Sequence, residues 1–228
     1  MKYLLVAHFA VVAQCCLFAA AAHAHGDPDS VLEAALRPLY SQLDVFRDQL
    51  DAVKVLVHVP CKKDVLECSE AGPLGMEDGR IPNASITASS FWGNLADHAP
   101  RKARLNTEVY AASWVSAGSS DPNPWIQVDF GCIVIITSLI TQGRGDQRDR
   151  QWVTEFQVAY SNDGQEWTNV NAEGESAPTK FPGNSDRNTY VTTTFPKAFQ
   201  ARFLRILPTQ WSVHCSMRFE VIGCKSHE

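Results

Sequence analysis

The chain predicts an all-β domain, an antiparallel sandwich or jelly roll, with a short helical segment in front of it. Three observations carry that expectation. In Trp125-Ile126-Gln127-Val128-Asp129-Phe130-Gly131, apolar and polar residues alternate with the period of a strand buried on one face. Ile133 to Ile140 is a second, nearly continuous β-branched run, the pattern of a strand with little exposure. From Cys68 to Cys224 the sequence consists of short β-branched and aromatic runs broken by Gly, Pro, Asn and Asp. No helix-rich stretch alternates with them, which excludes a parallel α/β sheet.

Taken in order, the 228 residues open with Lys2, an apolar run from Tyr3 to Phe18, and Ala22-His23-Ala24. One positive charge, a short apolar core and a small-x-small site read as a secretory signal over residues 1–24. Its removal takes away Lys2 and no acid, leaving 19 bases against 25 acids and moving the net charge from −5 to −6. That balance argues against non-specific nucleic-acid binding. Seven cysteines fall to five: Cys61, Cys68, Cys132, Cys215 and Cys224. In an exported chain these are expected mostly as disulfides, with the odd one forming an intermolecular bond or remaining a thiol.

Residues 25–60 form the second expected region. Leu32, Leu36, Leu39, Leu43, Phe46, Leu50, Val53 and Val57 are spaced alternately by four and three, the a and d seam of a coiled coil. Ser30 and Glu33 have the capping-box spacing. Pro38 interrupts the pattern at a cost of about 3 kcal/mol in a helix interior, so the helix kinks there or begins at Arg37. A seam this narrow favours self-association over packing on a globular core; an amphipathic helix lying on its own domain is the alternative. Cys61, four residues past the seam, is the candidate for an interchain disulfide. Residues 61–67 are a linker, and 225–228 are a tail.

Within 68–224, seven runs read as strands: Ile86–Ser89, Trp125–Phe130, Ile133–Thr141, Phe156–Ser161, Tyr190–Phe195, Phe203–Leu207 and Met217–Ile222. Asn162-Asp163-Gly164 is a hairpin turn between Phe156-x-Val158-x-Tyr160 and Trp167.

Several motifs in this region resemble the discoidin family, the C domains of the coagulation factor V and VIII type. They are Cys68-x4-Pro73-Leu74-Gly75-Met76-Glu77-Asp78-Gly79-x-Ile81, Ile86-Thr87-Ala88-Ser89-Ser90, Ala103-Arg104-Leu105-Asn106, Trp125-Ile126-Gln127-Val128-Asp129, Ile140-Thr141-Gln142-Gly143, Gly183-Asn184-Ser185-Asp186, Ala201-Arg202-Phe203-Leu204-Arg205-Ile206-Leu207-Pro208 and Gly223-Cys224. Lys102 to Asn106 and Gly183 to Arg187 are especially similar to the secreted, oligomeric, retinoschisin-like branch. The resemblance implies an eight-stranded antiparallel jelly roll closed by a Cys68–Cys224 disulfide. Cys132 and Cys215, at positions where the family has no usual cysteine, are the expected second bridge.

The resemblance also implies a binding surface of three loops at one end of the sandwich. The first is Phe91-Trp92-Gly93-Asn94-Leu95-Ala96-Asp97-His98, where Phe91, Trp92 and Leu95 either pack inward or insert into a partner. In the second, Thr107-Glu108-Val109-Tyr110, the contacts are Val109 and Tyr110. The third, Gly143 to Arg150, carries Arg144, Arg148 and Arg150, suited to carboxylates, sulfates or phosphates. There Arg144, Asp146 and Arg148 are the candidates, and Arg144-Gly145-Asp146 spells an integrin-type tripeptide. Arg104 matches a buried structural arginine of the family. Asn83-Ala84-Ser85 is an N-glycosylation acceptor sequence.

No Gly-x-Ser-x-Gly, H-E-x-x-H or phosphate-binding glycine loop occurs, and no cofactor or metal is expected. The reading is a secreted, oligomeric, non-catalytic binding protein for cell adhesion or recognition, whose partner is a cell-surface glycan, a phospholipid headgroup or a matrix protein. A sugar-binding, lectin-like agglutination or immune factor and an extracellular structural oligomer are the alternatives.

Overall fold

The computed structural model describes residues 36–37, 39–40, 42–43, 45–46, 68, 70–108, 111–146 and 149–224. The chain divides into two units, Met1–Leu50 and Asp51–Glu228. In the first, the described residues are helical, and the seam residues Leu43 and Phe46 are exposed. The remainder of the expected coil, Cys61 and the signal lie outside the described residues.

Among the described residues, the second unit has nine strands: β1 (Gly72–Pro73), β2 (Ile86–Ala88), β3 (Trp114–Val115), β4 (Ile126–Gln142), β5 (Trp152–Ser161), β6 (Thr168–Asn169), β7 (Phe181–Pro182), β8 (Val191–Ser212) and β9 (Ser216–Cys224). Every strand pair is antiparallel, in the order β1-β9-β4-β8-β5-β6, with β2 on β4, β3 on β9 and β7 on β5. Two expected pairs of short strands are each one long strand here. In β4 the alternating half, Ile126–Phe130, continues into the drier half through a register shift between Asp129 and Val134. Gly131 sits at that bend with φ +75°, a conformation that disfavours side chains. β8 likewise pairs its first half with Thr141–Val134 and its second with Phe130's half of β4 and with β5. Strands that bend from one layer into the other form the corners of a sandwich.

The core lies between the layers. Ile126, Val128, Ile136, Phe156, Val158, Leu204, Ile206, Phe219 and Val221 are fully buried, and Trp114 donates its Nε1–H to the Ser90 carbonyl at 2.8 Å. The outer face of the second layer is covered too, because Arg205 is sandwiched between Trp125 (4.1 Å) and Trp167 (3.7 Å). The hairpin expected at Asn162-Asp163-Gly164 forms, pairing Tyr160 with Thr168.

A buried charge, Glu220, and a half-buried one, Arg104, hold the entry segment. The Glu220 carboxylate accepts hydrogen bonds from the amides of Met76 (3.1 Å), Glu77 (2.9 Å) and Val221 (2.8 Å). Arg104 donates to the carbonyls of Met76 (2.6 Å) and Ile81 (2.7 Å), and to Asn83 Oδ1 (2.6 Å). Arg104 is thus structural, as the family resemblance implies. Asn83, the expected glycosylation site, is buried, and its Oδ1 accepts from that guanidinium.

Cys68 and Cys224 are joined, with Cα atoms 5.5 Å apart. The expected Cys132–Cys215 bridge does not form. Ile135 pairs with Cys224, so Cys132 lies past the last residue of β9, whereas Cys215 precedes its first. The nine residues between them span about 30 Å, far beyond the ~7 Å Cα separation a disulfide tolerates. Cys132 is disulfide-bonded to a partner outside the described residues. Cys215 is a free thiol in the core, and burial pushes its pKa up to about 12. Thiol titration of the folded, unreduced protein should therefore leave Cys215 unmodified, and peptide mapping should recover Cys68 joined to Cys224. Cys215 should react only after unfolding.

Candidate functional site: one pole of the sandwich

The loops collect where β9 begins. Arg218 follows Ser216 and Met217 on that strand and is 1% exposed. Its Nε donates to the Gly143 carbonyl, its Nη1 to the Thr107 carbonyl and its Nη2 to the Arg187 carbonyl, each at 2.8 Å. Nη2 also reaches Asn188 Oδ1 at 2.9 Å. Burial pulls its pKa down to about 10, so the guanidinium stays charged at neutral pH. One side chain thus ties three loops that are distant in sequence. Gly145 completes the arrangement, because a Cβ there would lie 2.5 Å from Arg218 Nη1. Gln142 adds a second tie: its Oε1 accepts from the Asn106 amide (2.9 Å) and its Nε2 donates to the Asn188 carbonyl (2.8 Å).

The third loop turns two of its charges, Arg144 and Asp146, inward, whereas Arg150 is exposed. Arg144 is buried, bonded through Nε to Asp146, through Nη2 to Asp149 (2.9 Å) and through Nη1 to Gln151 (3.0 Å). The Arg144 and Asp146 side chains are 9% and 12% exposed. An integrin-type tripeptide must offer both charges to a partner, and here they neutralise each other. The structure accordingly places Arg144 and Asp146 as internal braces rather than ligand contacts. Arg148, Val109 and Tyr110 lie outside the described residues. His98 packs against this loop, and its pKa is lowered by burial first and by the Arg144 charge second.

The first loop turns its apolar groups outward. Phe91 packs against the core, while Trp92 and Leu95 are 46% and 53% exposed. Their backbone is tightly wound: Asn94 N donates to the Phe91 carbonyl (3.2 Å), Leu95 N to that of Trp92 (3.1 Å), and Gly93 takes φ +58°. Upstream, Ser90 Oγ donates to Asp121 and itself accepts from the Ala117 amide (3.0 Å). The Trp92 ring meets His214 edge-on, centroids 4.9 Å apart, which brings the β8–β9 turn beside the first loop. Sequence reasoning missed Arg218 and this turn. The available signal was the unbroken apolar setting of Met217-Arg218-Phe219, where an arginine needs a special reason to sit.

The first loop thus offers two half-exposed apolar side chains on a backbone held by its own hydrogen bonds. Among the described residues, no group of His, Cys, Asp or Glu could hold a metal ion. Two consequences are measurable. Arg218→Met strands several buried carbonyls and should lower the unfolding free energy by about 3 kcal/mol or more in urea denaturation. Below pH 6.5, the unfolded chain binds a proton at His98 that the folded chain resists, so stability should fall as pH drops through that range. His98→Gln should flatten that part of the melting-temperature profile.

Comparison with known proteins matches this geometry to a family. The F5/8 type C domain model covers residues 85–221. Lactadherin of Sus scrofa is 38% identical over 181 residues, spanning 75% of this chain and 44% of its own length. The human EGF-like repeat and discoidin I-like domain-containing protein 3 is 36% identical over 178 residues, 75% of this chain and 37% of that protein. The chain therefore spans less than half the length of these relatives. The solved structure of wild-type discoidin II from Dictyostelium discoideum aligns with a TM-score of 0.52 at 27% identity, covering 60% of this chain and 53% of that one. With its antiparallel sandwich, its Cys68–Cys224 closure and its loops gathered at one pole, the chain belongs to the F5/8 type C, or discoidin, domain family.

Proposed function

We propose that this protein is a secreted, non-catalytic adhesion module that attaches to lipid-bounded cell surfaces through Trp92 and Leu95, with several copies grouped by the upstream helix. The observation that carries the reading is the pair of large apolar side chains, each about half exposed, on a loop whose backbone is held. Apolar groups fixed in water cost free energy that a hydrophobic interface returns. Tryptophan suits the headgroup level in particular, with an apolar body and a polar N–H. A sugar site is usually concave, with convergent polar groups, whereas these side chains project. Arg144 and Asp146, being internally paired, offer no support to integrin recognition.

The N-terminal signal pattern and the disulfide support export to an oxidising compartment. Grouping of copies is supported by Leu43 and Phe46, seam residues 63% and 59% exposed in a single chain. Weak contacts at several tips would then add as avidity.

The test is co-sedimentation of the mature protein with phosphatidylserine–phosphatidylcholine vesicles. Trp92→Ala and Leu95→Ala should each weaken binding roughly tenfold, since burying such a side chain contributes about 1.5–3 kcal/mol. Competing monosaccharides should leave binding unchanged; their abolishing it would establish the glycan alternative instead. In sedimentation equilibrium, the Leu43→Ser, Phe46→Ser double variant should be lighter than wild type and bind the same vesicles less tightly.

A further inference from the structure

The turn between β8 and β9 is short: Ser212, Val213, His214, Cys215. The His214 amide donates to the Ser212 carbonyl at 2.6 Å, closing a three-residue turn around Val213, whose φ is +59°. A three-residue turn with positive φ at its centre is rare and strained. For a β-branched residue, positive φ is a conformational outlier, where glycine or asparagine fits far better. Stability does not explain the valine, because its side chain is 79% exposed and adds nothing to the core. Strain kept at an exposed position points to a use for the side chain.

Its surroundings indicate the use. His214 is wedged: its ring meets Trp92 edge-on, its Nε2–H donates to the Ser116 carbonyl at 3.0 Å, and a Cβ on Gly118 would lie 2.9 Å from its Cε1. The Ser116 amide in turn donates to the Cys215 carbonyl at 3.0 Å. The turn is therefore locked on both sides and held directly next to Trp92. Val213 adds a third projecting apolar group to those of Trp92 and Leu95, from an element far away in sequence.

We propose that Val213 is a membrane-inserting residue and that the β8–β9 turn is a second lipid-contacting element of this pole. This rests on the lipid reading of Trp92 and Leu95 and extends it to a site that neither the three expected loops nor any apolar run in the sequence marks. The occupant is the interfacial zone of a bilayer. A single isopropyl group, 79% exposed on a tight turn, has no walls with which to grip a sugar or a peptide, but it can enter a fluid apolar phase.

The experiment uses the mature full chain, the same phosphatidylserine–phosphatidylcholine vesicles, and the variants Val213→Gly and Val213→Asn. Both replacements accept positive φ, so the melting temperature should hold or rise. Vesicle affinity should fall by roughly three- to tenfold, in line with loss of one partly inserted valine. Affinities within twofold of wild type, with wild-type binding intact, would overturn the assignment of Val213 and leave Trp92 and Leu95 standing. Wild-type protein that ignores these vesicles would overturn the lipid reading and this extension together. Should a variant melt lower, a fluorophore on Val213→Cys decides. A blue shift on adding vesicles supports insertion, and an unchanged spectrum refutes it.

Discussion

A guanidinium buried at the start of β9 is the constraint on which the binding pole depends. Removing such a charge from water costs several kcal/mol, and only full hydrogen bonding offsets that cost. Arg218 meets the requirement with backbone carbonyls from Thr107, Gly143 and Arg187 and with the Asn188 side chain. The requirement works in both directions. The arginine cannot be buried unless all these segments close over it, and the segments cannot part without exposing a charge or stranding their carbonyls. Loops that would otherwise fluctuate separately form one cooperative unit with the strand beneath them.

That unit explains a division of labour between neighbouring residues. Phe91 joins the core while Trp92 projects, because the chain leaves β2 and winds at once into a tight turn. In the third loop the division runs the other way. Arg144 stays close to the Gln151 carbonyl through its own amide (2.9 Å), and its side chain is spent on Asp146 and Asp149. The first loop thus supplies apolar surface to the described part of the pole, while in the third loop Arg144 and Asp146 neutralise each other and Arg150 stays exposed.

Much of the sandwich was legible in the sequence because strand burial has a period of two. The alternation at Trp125–Phe130 and the dry run after it both lie where that rule places them, and the Asn-Asp-Gly hairpin forms between its expected strands. The period failed where tertiary cover changes its meaning. Met217-Arg218-Phe219 reads as inward, outward, inward, yet the outward face of β9 is roofed by loops, and Ser216 to Val221 are all buried. Short motifs meet a related limit. The Arg144-Gly145-Asp146 tripeptide and the Asn83 acceptor sequence are patterns of residue type. What each side chain does is set by partners such as Asp149, Gln151 and Arg104, which no local spacing reveals. The cysteines show the same limit, because Cys132 lies within β4 and Cys215 just before β9, at opposite ends of β9.

The position of the Cys68–Cys224 closure has a mechanical consequence. Cys224 ends β9, and the apolar tips gather where β9 starts, so the covalent clasp and the apolar tips are separated by the length of the strands. With copies grouped as proposed, a pull from upstream of Cys68 enters β9 through the clasp, and β9 lies between β1 and β4. The pull then runs along the strands and shears whole ladders of hydrogen bonds at once instead of unzipping them one by one. Under the proposed attachment, a domain gripped at one end and anchored at the other holds while something drags on it.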